Sequence, residues 1–145
     1  MEKQNKEKIF VYSDASTENG VGTAVSIILT DTEYLGMKGT KYSVDGPSAT
    51  EICGVIQALE MIQKDSSLKT RSILVYTDLE STPDTYLKLL SGEETLETVT
   101  YPNLWRQLLD LAKDLDITIE HMNGHQLGTN PNVVCDVVAG IIRGL

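Results

Sequence analysis

Three early stretches, residues 9–13, 21–29 and 33–43, are rich in Val, Ile, Thr and Tyr and are separated by Glu18-Asn19-Gly20 and Thr30-Asp31-Thr32. β-Branched and aromatic runs between turn-forming residues predict strands joined by tight connections, here an antiparallel meander. After Asp45-Gly46-Pro47, a turn by composition, the repeat changes. Ile52, Val55, Ile56, Leu59 and Ile62 recur every three or four positions, so a helix is predicted over 48–63. The pattern then predicts a strand at 72–77, a short helix at 83–91, a helix at 103–115 with Leu104, Leu108, Leu111, Ala112 and Leu115 on one face, and a strand at 117–122. A closing helix is predicted from Asn132 to Ile142, carrying Val133, Val134, Val137, Val138, Ile141 and Ile142. Three strands followed by alternating helices and strands imply an α/β domain, a mixed sheet covered by helices. Residues 79–103 are the most loop-like part.

Composition narrows this picture. The 145 residues are 41% hydrophobic and 23% charged, which suits one globular domain. A polar tail is expected at 1–8 and a single domain at 9–145. No apolar run exceeds four residues, which excludes a membrane-spanning helix of roughly 20 apolar residues. The opening MEKQNKEK is not followed by an apolar segment of the signal-peptide kind. Cys53 and Cys135 sit in apolar helical patterns without a Cys-x-x-Cys partner, so neither a disulfide framework nor a thiolate zinc site is expected, and a cytoplasmic location fits. The net charge is −9 and no dense basic run exists, which by itself argues against phosphate binding.

The acids carry the chemistry. Ile9-Phe10-Val11-Tyr12-Ser13-Asp14 and Ile73-Leu74-Val75-Tyr76-Thr77-Asp78 are nearly the same word, and both finish on a carboxylate. If the two strands lie parallel and adjacent, both carboxylates reach one sheet edge, where ligand crevices form. Asp14 has the parity of Tyr12 and Asp78 that of Tyr76, so they share a face. Two such acids repel each other unless a proton or a hard divalent cation intervenes. Glu51, about 40° from Val55 and about 20° from Ile62 on the predicted helix, points inward, whereas Glu60 lies on the opposite side and serves as an ordinary solvated control. The competing reading of Glu51 is a Ser48-Ala49-Thr50-Glu51 capping box. Asp136, set among apolar neighbours, needs a partner or an exposed helix edge. His125, in the Gly-rich 124–131 segment, is suited to proton transfer.

Together these residues resemble ribonuclease H of type 1 from about Phe10 to Ala139. The family's D-G-S turn appears as Asp14-Ala15-Ser16 and its helical Glu as Glu51. Its T-D-S strand end appears as Thr77-Asp78-Leu79, its G-H loop as Gly124-His125, and its N-x-x-C-D-x-x-A word as Asn132 to Ala139. The resemblance implies a five-stranded mixed sheet of antiparallel meander plus parallel strands, with Asp14, Glu51, Asp78 and Asp136 holding two Mg2+ ions, Mn2+ being a substitute. It implies an endonuclease that hydrolyses the RNA strand of RNA–DNA hybrids. Two metals about 4 Å apart would activate a water and stabilise the leaving 3′ oxygen, with His125 assisting proton movement or product release. Ser16, Asn19, Ser48 and Asn132 are the implied substrate contacts, and the hybrid is recognised by 2′-hydroxyls and duplex shape.

This chain departs from the pattern in several places. Ala15 and Leu79 replace a Gly and a Ser, and Pro47-Ser48-Ala49-Thr50 stands where many relatives place an Asn or Gln before the helical Glu. Gly92 to Asn103, where some relatives carry a basic, Trp-rich protrusion, holds three Glu and no Lys or Arg. Asp78 to Thr100 holds six acids and one Lys, so weak hybrid affinity is expected; Lys3, Lys6, Lys8, Lys38 and Lys41 are the available cations. The alternatives are a ribonuclease H-like binding or assembly module with little activity on its own, and a related metal nuclease acting on other nucleic acids.

Overall fold

Asn19 and Gly20 both have positive φ, 54° and 78°, the backbone that a two-residue type I′ hairpin turn demands. They therefore join two strands that stay paired right up to the turn, from Phe10↔Leu29 to Glu18↔Val21. A computed structural model describes residues 8–30, 33–43, 46–77 and 79–122 of the protein. Along them run β1 (Ile9–Glu18), β2 (Val21–Leu29), β3 (Tyr34–Ser43), α1 (Pro47–Gln63), α2 (Ser66–Lys69), β4 (Ser72–Thr77), α3 (Ser81–Ser91), α4 (Pro102–Ala112) and β5 (Asp116–His121). The strands form a five-stranded sheet in the order β3-β2-β1-β4-β5, antiparallel on the hairpin side and parallel from β1 to β5. This is the mixed α/β architecture expected from the sequence. The closing helix predicted over 132–142 lies outside the described residues.

Alternation of side chains sorts the sheet into two faces. Ile9 and Val11 of β1, Ile28 of β2, and Ile73 and Val75 of β4 form one core with Ile52, Val55, Ile56, Leu59 and Ile62 of α1 and with Trp105, Leu108 and Ala112 of α4. The other face carries a smaller cluster, Val25 and Ile27 with Tyr12 and Leu29. On this second face Tyr12 and Tyr76, register partners across β1 and β4, stack with ring centroids 5.2 Å apart.

The seating of α1 on the sheet fixes the site. A Cβ on Gly54 would collide with Ser13 Oγ and lie 3.3 Å from the Ala24 Cβ, so only glycine allows the helix to come this close. One turn on, buried Gln57 ties the helix to two strands: its Nε2 donates to Ala24 O (3.1 Å), Ser26 Oγ (3.0 Å) and Lys38 O (3.2 Å). Its Oε1 accepts from Tyr42 Oη (3.2 Å). At the start of the helix, Thr50 Oγ1 lies 3.2 Å from Thr17 Oγ1 of β1.

Three local expectations need correction, and one short helix is an addition to them. β1 does not end at Asp14; the hairpin extends it to Glu18, so Asp14 is an interior strand residue. α1 begins at Pro47 behind Gly46, with no side-chain capping bond, so the Ser48–Glu51 capping box does not form. Proline is pre-organised for the first helical position, and that choice of start moves Ser48 inside the helix. α4 stops at Ala112, and the next residues close as a turn in which Leu115 N–H donates to Ala112 O (2.9 Å). The four-residue α2, capped by Asp65 accepting from Ser67 N–H (3.0 Å), was not expected at all.

Candidate active site

Past Asp14, β1 runs beyond β4, because the chain leaving Thr77 is out of the strand at Leu79 and enters α3 by Ser81. The first turn of α1 is stitched to this overhang through Thr50 and Thr17. Asp14, three residues before Thr17, and Glu51, the residue after Thr50, are thereby brought to one end of the sheet. Their approaches differ. Asp14 pairs with Val25 and lies on the Tyr12 face, whereas α1 packs on the Ser13 face. Both carboxylates are almost fully enclosed, Asp14 at 3% and Glu51 at 1% exposure. Glu60, on the far side of α1, is only half-buried, the contrast that helical spacing predicts. Because Ser48 is an interior helical residue and not the N-cap, the capping-box reading does not account for Glu51.

The parallel ladder between β1 and β4 has the register Tyr12↔Tyr76 and Ser13↔Thr77, the one expected for matched acids at the next position. Asp78 itself lies outside the described residues, as do His125, Asn132 and Asp136. Met122 N–H donates to Thr77 O at 2.8 Å, tying the residue before Asp78 to the last described residue. Among the described residues no group of three or more potential metal ligands occurs. The two buried acids are hard oxygen donors, which fit Mg2+ or Mn2+ and not a thiolate-seeking metal.

The implied substrate contacts scatter around this end. Ser16 is cross-strand from Thr23 on the Asp14 face and is half-buried; Asn19 is exposed in the hairpin turn. Ser48, half-buried in the first turn of α1, lies on the wall of a pocket of about 270 Å³. Ser81 and Thr85 of α3, Thr98 and Thr100 of the following loop, and Trp105 of α4 complete most of that wall. Apart from Ser48, sequence reasoning missed these pocket residues, since hydroxyls drawn from three separate segments leave no spacing to find. Lys38 and Lys41 are exposed on the edge strand β3. Nearby, burial pushes the thiol of Cys53 above its usual pKa, and burial, followed by the neighbouring Cys53, does the same to the Tyr42 phenol.

A model of the RNase H family matches residues 6–141 of the chain. Among solved structures it is similar to RNase H1 from the halophilic archaeon Halobacterium salinarum NRC-1, with a TM-score of 0.62 and 16% identity over 90% of this chain and 92% of that one. It is also similar to the N-terminal RNase H domain of rv2228c from Mycobacterium tuberculosis, with a TM-score of 0.68 and 18% identity over 94% and 93% of the two chains. A third likeness is to LC11-RNase H1 in complex with RNA/DNA hybrid, with a TM-score of 0.63 and 16% identity over 89% and 91%. At such identities the structural likeness speaks for the fold. No curated protein matches the chain.

Proposed function

The chain belongs to the RNase H family, and from that membership we propose that it hydrolyses the RNA strand of RNA–DNA hybrids. The observation that carries the reading is the enclosure of two carboxylates, Asp14 from β1 and Glu51 from α1, at the same end of the sheet. Enclosing carboxylates is costly, a bound cation is one way to offset that cost, and a family of phosphodiester-cleaving enzymes gives the cation a task. Asp14, Glu51, Asp78 and Asp136 would hold two divalent ions, Mg2+ with Mn2+ as a substitute. The chemistry supplied when such ions are bound is activation of a water and neutralisation of charge on the leaving 3′ oxygen.

The chain's own residues have distinct tasks. Asp14 is held rigidly inside a paired strand, and Glu51 is fixed by the Gly54 and Gln57 contacts that seat α1. His125 would assist proton movement or product release. Ser16, Asn19, Ser48 and Asn132 contact the hybrid, Ser48 from the wall of the hydroxyl-lined pocket. The structure of LC11-RNase H1 with RNA/DNA hybrid supports the substrate assignment by analogy.

The test is cleavage of an end-labelled RNA strand, presented alone, paired with DNA and paired with RNA, with Mg2+ or Mn2+, by wild type and Asp78→Asn. Cutting of the hybrid alone, dependent on metal and abolished by Asp78→Asn, is the expected result. Equal cutting of all three substrates would transfer the reading to a nuclease of other specificity. Silence of the folded protein in both metals would transfer it to a binding or assembly module.

A further inference from the structure

We infer that the outer side of α3 docks a basic, amphipathic helical segment of a protein partner. Leu87 and Leu90, one turn apart, are each 61% exposed, while Thr82, Pro83 and Tyr86 of the same helix are buried. Both leucines therefore lie off the face that α3 commits to the core. Glu80, Asp84, Leu87 and Ser91 follow one another at helical spacing along this side, and all are exposed. Anchors at such spacing match the way one amphipathic helix lies along another.

The charge around the leucines selects the partner. Glu80, Asp84, Glu93, Glu94 and Glu97 surround them in the chain, against Lys88 alone among residues 80–105. Lys88 is engaged by Asp84, Nζ to Oδ2 at 3.4 Å. An acidic rim repels phosphate and attracts Lys and Arg, so the complement of this surface is a cationic protein segment with apolar anchors, not a nucleic acid strand. The inference stands independently of the nuclease reading.

The full chain, labelled with 15N, is titrated with a synthetic Lys/Leu peptide whose leucines share one helical face. A peptide of the same composition, shuffled so that they do not, serves as comparison. Shift changes confined to residues 80–97 are expected, with Kd weakened at least about tenfold by Leu87→Ser/Leu90→Ser and also by Glu80→Gln/Glu93→Gln/Glu97→Gln. Because these side chains are solvent-facing, both variants should keep the wild-type circular dichroism. Equal binding of the shuffled peptide, shifts spread over other acidic surfaces, or unchanged affinity in both variants would overturn the inference. So would displacement of the same resonances by an RNA–DNA hybrid duplex, which would make nucleic acid the occupant. Concentration-dependent self-association abolished by Leu87→Ser/Leu90→Ser would make it a second copy of the chain.

Discussion

Glu51 and Glu60 are the same side chain on opposite sides of one helix, one enclosed and one half-buried. If Glu51 is a metal ligand, Glu51→Gln should lower the hybrid cleavage rate on the order of a hundredfold or more, whereas Glu60→Gln should leave it within about twofold. Mg2+ should also raise the thermal midpoint of wild type, by linkage of binding to folding, and raise that of Glu51→Gln less. A Mg2+ response equal in the two proteins would remove Glu51 from the ligand set. Cys53 offers a second residue-scale test. Burial raises its pKa, so at neutral pH less thiolate is present than in an exposed cysteine, and the native thiol should alkylate far more slowly than the denatured one. Peptide mapping of the alkylated protein separates Cys53 from Cys135. Rapid native labelling of Cys53 would contradict its enclosure.

At the scale of elements, the contact between α1 and β1 at Gly54 leaves no room for a side chain on the helix. Gly54→Ala should cost about 1–3 kcal/mol in urea unfolding, because the new methyl meets Ser13 Oγ. Among the described residues the buried Ser13 hydroxyl has no hydrogen-bond partner, so Ser13→Ala alone should be neutral or slightly stabilising. The double variant should recover part of the Gly54→Ala loss; strict additivity would mean the two groups do not meet. Elements with strong periodicity were legible in the sequence: β4 has the predicted bounds 72–77, and α1 differs from prediction by a single residue. What the pattern hid was set by local chemistry. Asn19-Gly20 extends pairing past Asp14, Pro47 overrides the capping signature at Ser48, and Asp65 supports a helical turn too short to show a period. In the candidate site, the matched strand ends singled out Asp14 and the helical angle singled out Glu51, and the fold encloses both. The hydroxyl pocket was not legible, because only folding gathers it.

For the whole molecule, an excess of nine negative charges and a pI near 4.6 make phosphate binding dependent on a few cations and on bound metal. Hybrid cleavage at limiting substrate should therefore fall steeply, on the order of tenfold or more, between low and moderate salt. A flat response would show that binding does not depend on phosphate contacts. The fold carries a further consequence in β1, where Ser13 meets the helix and Asp14 faces the other way. Pairing on one side is locked to a two-residue turn only five positions after Asp14, so side chains can be exchanged along this strand but residues cannot be added or removed. A single-residue insertion between Asp14 and Asn19 that slipped the strand by one place would aim the acid into the close contact with Gly54 that the Ser13 side chain now fills, and send the Ser13 hydroxyl out where the carboxylate belongs. Descendants of this sequence should therefore diverge here by substitution, with length changes confined to the connections beyond the sheet.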